Sequence, residues 1–195
     1  MQWIRTMGLA VAGLACGGCA WEVTPPVVPP GAETATVFVT DYGRHARLGL
    51  PVGDRTVVEW GFGDWEYYAM EKTGPASSVR AISPFGRSAL ARREFHGVGG
   101  DAGEFSGSAG GVRTAAIKVE RAKSDALFLD LESRWRRGRE VEAVRRDTDG
   151  LEFAAGEERY HLLHNSNKKT AVWLRELGCE VRGVPVISNF RVSER

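Results

Sequence analysis

Apolar and polar positions alternate in three short runs early in the chain. Thr36–Thr40 is β-branched and aromatic and ends at the turn-like Asp41-Tyr42-Gly43. Ala46–Leu50 alternates weakly and stops at Pro51, and Thr56–Trp60 follows. Runs this close together predict an antiparallel meander. Asp64–Glu71 and Pro84–Arg93 are short helical candidates, and Arg113–Glu120 reads as a strand. Leu127, Phe128, Leu131 and Trp135 recur at helical spacing, which predicts a helix capped by Ser124 and ending near Gly138. Glu157–His164 is a strand candidate. Asn167–Leu177 reads as a helix with Ala171, Leu174 and Leu177 on one side and Gly178 at its stop. Val184–Ile187 is a last short run with the look of an edge strand. This order of elements predicts an α+β fold, an antiparallel sheet packed against helices.

The N-terminus follows a different pattern. Met1–Arg5 carries a positive charge, Met7–Ala15 is wholly small or apolar, and Cys16-Gly17-Gly18-Cys19 closes the run. A charged start, a short apolar stretch and a small-residue end describe a secretory signal peptide. The stretch is far below the ~20 residues of a membrane-spanning helix. A cysteine after small residues at this point resembles the bacterial lipoprotein box, in which the sulfur receives a diacylglyceryl group. Cys19 is the expected lipidation site and Cys16 the alternative; neither has an aliphatic residue three positions before it. Ordinary cleavage without lipid is the other reading of the same signal. The expected organisation is a signal peptide over 1–18, a lipid-anchored proline-rich tether over 19–35 and one domain over 36–195. Trp21–Ala35 holds Pro25-Pro26 and Pro29-Pro30, which fix φ and remove N–H donors, so a semi-rigid spacer is expected there. The expected location is the cell envelope, on a membrane facing the periplasm or the exterior.

Composition narrows the partners. Arg5 is the only charged residue in Met1–Gly18, so its removal leaves 25 Lys and Arg against 25 Asp and Glu. That balance gives no argument for nucleic acid. The basic residues at Arg134–Arg139 and Arg145-Arg146 have acidic neighbours, Glu132, Glu140, Glu142 and Asp147, and read as a solvated helical face. Cys179 is alone in the body of the chain, so no disulfide framework is expected. Phe95–Gly111 contains seven glycines. A phosphate cradle there needs a strand before it and a helix N-terminus after it, and with neither evident the segment reads as a surface loop.

No cofactor and no metal is expected from the chemistry-bearing residues. His161 and His164 are three apart in a predicted strand and so point to opposite faces, and His96 borders the glycine-rich segment. His45 lies between two predicted strands. Ser166 immediately precedes a predicted helix, where backbone N–H groups favour negative charge. A nucleophile paired with histidine is at home there, and serine is also a preferred helix N-cap.

Three blocks are similar to a bacterial family of unknown function, the conserved hypothetical proteins of urease gene regions. They are VFVTDYGRHARLGLP, VVEWGFGDWEYY and FAAGEERYHLLHNSNKKTAVWLRELG, which frame residues 36–180. That family looks like a circularly permuted member of the NlpC-type papain-like superfamily, in which the histidine strand comes first and the cysteine helix last. The resemblance implies a Cys–His site, with His45 at the general base and Ser166 at the nucleophile. Asn167 retains the family's Asn, while Lys168-Lys169 stand where the family has Thr-Trp. Glu59, or Asp64 in its place, is the group expected to orient the imidazole, the other reading of Glu59 being a strand carboxylate facing solvent. A serine hydroxyl is far less nucleophilic than a thiolate. The expectation is therefore a non-catalytic domain binding an envelope ligand, peptidoglycan peptide or lipid. The alternative is a serine hydrolase or acyltransferase using Ser166 and His45.

Overall fold

The computed structural model describes residues 21–72, 86–98, 101–111, 113–161 and 164–193. The expected signal peptide, Cys16 and Cys19 lie outside these residues, as does the start of the segment 84–93. The described elements are β1 (Trp21–Thr24), β2 (Thr34–Asp41), β3 (Ala46–Val52), β4 (Thr56–Asp64), a π-helical turn (Trp65–Ala69), β5 (Gly86–His96), α1 (Ala102–Ala109), β6 (Arg113–Glu120), α2 (Arg121–Val141), β7 (Ala143–Arg146), β8 (Leu151–Tyr160), α3 (Ser166–Glu176), β9 (Glu180–Arg182) and β10 (Phe190–Val192). The fold is mixed α+β. A seven-stranded sheet in the order β6-β2-β3-β4-β5-β8-β7 is antiparallel throughout. A second sheet in the order β10-β1-β9 pairs β1 parallel with β10 and antiparallel with β9.

Strand alternation assigns the two faces of the large sheet. Val37, Val39, Leu48, Leu50, Val58 and Trp60 join one apolar cluster with Leu127, Leu131 and Trp135 of α2 and Ala171, Trp173 and Leu174 of α3. The intervening Phe38 and Val57 belong instead to a cluster with Phe105 and Ala109 of α1. Successive side chains point to opposite faces, so the central strands are buried on both sides and read as nearly continuous apolar runs. Gly138 lets α2 lie on β8: a Cβ there would stand 2.2 Å from the Ala155 carbonyl oxygen.

The early meander is β2-β3-β4, and β3 continues through Pro51. Its register with β2 ends at Phe38↔Gly49, so the missing N–H of Pro51 breaks no bond on that side. Several expectations are corrected. Residues 86–96 form a central strand in place of a helix, with Ala89 and Ala91 on one face and Leu90 on the other. The glycine-rich segment contains α1, whose N-terminus follows β5. Its N–H groups at Gly103 and Glu104 are already taken by Asp101, which leaves none of this pair for a phosphate. Ser124 is buried inside α2, which starts earlier because Arg121 N–H donates to Glu33 O. The strand expected over 157–164 is the end of β8 followed by an isolated His161–His164 bridge. The last strand is Phe190–Val192, and Val184–Ile187 is a loop.

The tether expectation is corrected as well. Trp21 and Val23 are fully buried in the main core, and their strand is paired on both sides. The two proline pairs come after this strand, and Ala32 N–H closes a turn on Pro29 O. The packed unit therefore includes Trp21–Thr24, ahead of the expected start at Thr36. Among the described residues no helix is long and apolar enough to cross a membrane.

Candidate functional site

His45 sits at the foot of β3, after the turn that Gly43 allows through its φ of 86°. Tyr42 N–H donates to His45 O at 3.0 Å to close that turn. The N-terminus of α3 is fastened to the same point. Asn167, fully buried, accepts from Ala46 N–H at 2.7 Å through Oδ1. Its Nδ2 donates to Arg44 O at 3.3 Å and to Val186 O at 3.0 Å. Thr170 Oγ1 donates to Ala46 O at 3.1 Å. These bonds bring together two segments separated by about 120 residues in sequence.

Ser166 and His45 consequently line one cavity of about 320 Å³, with Arg44, Phe62, Asp64, Tyr67, Tyr68 and Tyr160. That volume lies at the low end of small-molecule pockets, and the lining is largely aromatic. Gly63 makes room for the Tyr68 ring, since a Cβ at 63 would stand 2.2 Å from Tyr68 Cδ1. Burial lifts the Tyr160 phenol to about 12, with Asp64 adding to the effect. Ser166 is the first helical residue and does not cap α3. The cap is Asn165, whose Oδ1 accepts from Lys168 N–H at 3.0 Å. Ser166 is 7% exposed, and among the described residues its hydroxyl has no hydrogen bond, to His45 or to any other group.

Behind the imidazole lies a buried polar cluster. Glu59 is fully buried, which excludes the reading of a solvent-facing carboxylate. It does not touch the imidazole: Tyr42 OH donates to its Oε1 at 2.6 Å, Arg47 to its Oε2 at 3.1 Å and Arg93 to its Oε2 at 3.0 Å. Glu59 and Arg93 face each other directly in the β4–β5 register, and Arg93 also donates to Ala109 O at 3.1 Å. The group that reaches His45 is Arg47, with Nη2 at 3.5 Å from Nε2. Asp64 accepts from Tyr67 N–H at 2.9 Å through Oδ1 to start the π-helical turn, while its buried Oδ2 has no hydrogen-bond partner among the described residues.

The identity of this neighbour bears on the tautomer of the ring. A guanidinium has five N–H donors and no acceptor, so imidazole Nε2 meets Arg47 with its lone pair. The neutral ring has one lone pair and one proton, and the proton is then on Nδ1. In that tautomer the lone pair sits on Nε2, the nitrogen that faces Arg47. A Cys–His or Ser–His site needs the opposite arrangement, an acceptor that holds the imidazole in the productive tautomer. Burial, together with the charges of Arg47, Arg146 and Arg44 and against that of Asp41, lowers the His45 pKa to about 4. A general base works best with a pKa near the operating pH, and His45 is far below it.

The other expected residues are accounted for elsewhere. Lys169 reaches Glu158 at 2.5 Å, and Glu158 also holds His164 Nε2 at 2.6 Å. Burial opposes ionisation of Glu158, and the bonds from Lys169 and His164 outweigh it, so its pKa is lowered. His96 is an exposed side chain beside Glu94. Among the described residues no three His, Cys, Asp or Glu side chains gather as metal ligands. Comparison with known families, with curated proteins and with solved structures finds no match for the chain.

Sequence reasoning missed Arg47, Arg93 and Tyr42. A signal was present in the alternation: Arg47 and Gly49 share one face of β3, just after His45, and Glu59, Gly61 and Gly63 share the same face of β4. Opposite charges on a common face of neighbouring strands mark a buried pair.

Proposed function

We propose that the chain is an exported envelope lipoprotein whose permuted papain-like domain binds an envelope ligand without cleaving it. The order of parts supports this architecture: the histidine strand comes first, the serine helix last, and Asn167 and Thr170 fasten one to the other. The observation that carries the non-catalytic reading is Arg47 on His45 Nε2. An all-donor neighbour takes up the Nε2 lone pair, while the cavity in front of it stays open and aromatic. The unbonded Ser166 hydroxyl and the imidazole N–H are then binding groups for an oxygen-bearing part of the ligand.

The hydrolase reading draws on one fact, that Ser166 and His45 line the same cavity. A fluorophosphonate probe on the purified protein separates the two readings. No labelling is expected at Ser166, and the Ser166→Cys variant should gain no alkylation rate beyond that of an ordinary thiol. Labelling of Ser166 that is lost in His45→Ala would establish the hydrolase in its place.

A further inference from the structure

Seven large apolar side chains are strongly exposed among the described residues, and three of them fall within four positions: Val184, Val186 and Ile187, at 65%, 48% and 43%. They occupy the loop between β9 and β10. This loop is held firmly from behind. Trp21 donates its indole N–H to Ile187 O at 3.0 Å and its backbone N–H to Asn189 O at 3.2 Å. Asn165 and Asn167 both donate to Val186 O, at 3.4 and 3.0 Å. Buried partners thus fix a backbone that presents aliphatic side chains outward. Concentrated apolar exposure of this kind marks a contact surface more often than an accident of composition.

The chain itself indicates what covers the loop. Cys19 stands two residues before Trp21, and two fully extended residues span at most about 7 Å. With Trp21 packed in β1, only Ala20 lies between that cysteine and the strand. A diacylglyceryl group on Cys19 would therefore enter the bilayer close to the residue that bonds Ile187. We propose that Val184, Val186 and Ile187 rest in the interfacial layer of the bilayer that carries the anchor, seating the domain directly on the membrane. This inference rests on lipidation at Cys19. The two acyl chains of a diacylglyceryl group suffice for stable anchoring, so the shallow aliphatic contact would set the orientation of the domain on the membrane. It also brings the start of α3 to the membrane, because the residues on either side of Ser166 both hold Val186 O. The ligand cavity then opens beside the lipid surface.

The test uses the full chain, processed in a bacterial host and reconstituted into vesicles of phosphatidylethanolamine and phosphatidylglycerol. An environment-sensitive nitrobenzoxadiazole label is placed at Val186→Cys, at Ile187→Cys as a second position, and at exposed Leu129 of α2 (Leu129→Cys) as reference. Palmitate incorporation in parallel, with Cys19→Ser as control, reports the anchor. Labels at 186 and 187 should shift to the blue and be quenched several-fold more than the label at 129 by lipids spin-labelled near the headgroup. Palmitate-labelled protein whose loop labels stay in water would overturn the seating and leave the anchor intact. Absence of palmitate that depends on Cys19 would overturn both. A blue shift without quenching by spin-labelled lipid would assign the loop to a protein surface and reject the membrane.

Discussion

The two faces of the large sheet solve burial in opposite ways. Under α2 and α3 the face is apolar, filled by Val37, Val39, Leu48, Leu50 and Trp60 against Leu131 and Leu174. On the other face, between Phe38 and Phe105 at one end and Trp65 and Phe153 at the other, two arginines and a tyrosine close on the fully buried Glu59. The first face needs only the right volumes. The second requires every partner to be present, because a buried charge without its counter-ion is expensive. His45 stands at the edge of the second face and takes its character from it. The same cluster places the Arg47 guanidinium 3.5 Å from the imidazole Nε2.

The largest effect is expected where the polar face is broken. Glu59→Gln keeps the shape and leaves Arg47 and Arg93 without their carboxylate, which should cost about 3–5 kcal/mol in denaturant unfolding. A loss below about 1 kcal/mol would mean that the arginines find other partners and that the cluster does not organise this face. On the apolar face, Leu174→Ala removes a fully buried side chain and should cost about 2–5 kcal/mol. A change within about 0.5 kcal/mol, typical of exposed positions, would contradict the packing of α3 on β3 and β4.

This contrast also explains what was legible in the sequence. Leu127, Leu131 and Trp135, and Ala171, Leu174 and Leu177, announced their helices because an apolar face leaves a period in the chain. The strands β2 to β4 were visible for the same reason, and β6 was bounded from Arg113 to Glu120. β5 was hidden, because Arg92, Arg93 and Glu94 at its end gave it the look of a charged helix. Glu59 was picked out as a partner for the imidazole, but its actual partners are Tyr42, Arg47 and Arg93, a choice made by strand register that no local spacing reveals. Trp21–Thr24 was hidden by the prolines after it, since its pairing strands lie more than 150 residues away.

A smaller effect should follow pH. The His45 pKa is about 4 in the folded protein against 6.5 for the free group, so the unfolded chain binds the extra proton first on acidification. Stability should be fully retained above pH 6.5 and fall as pH drops towards 4, by up to about 3 kcal/mol from this group. His45→Gln should flatten the unfolding free energy across that window. A wild-type profile no steeper than that of the variant would mean that the ring titrates normally.

The most direct measurement is the nitrogen spectrum of His45 in uniformly 15N-labelled protein, followed from pH 8 to pH 3.5. With Arg47 donating to Nε2, the spectrum should show a neutral ring protonated on Nδ1 at pH 7 and a midpoint near 4. In Arg47→Met the midpoint should move up and the Nε2–H form should appear. A wild-type ring carrying its proton on Nε2, with a midpoint near the ordinary 6.5, would return a working base to the cavity and contradict the non-catalytic account.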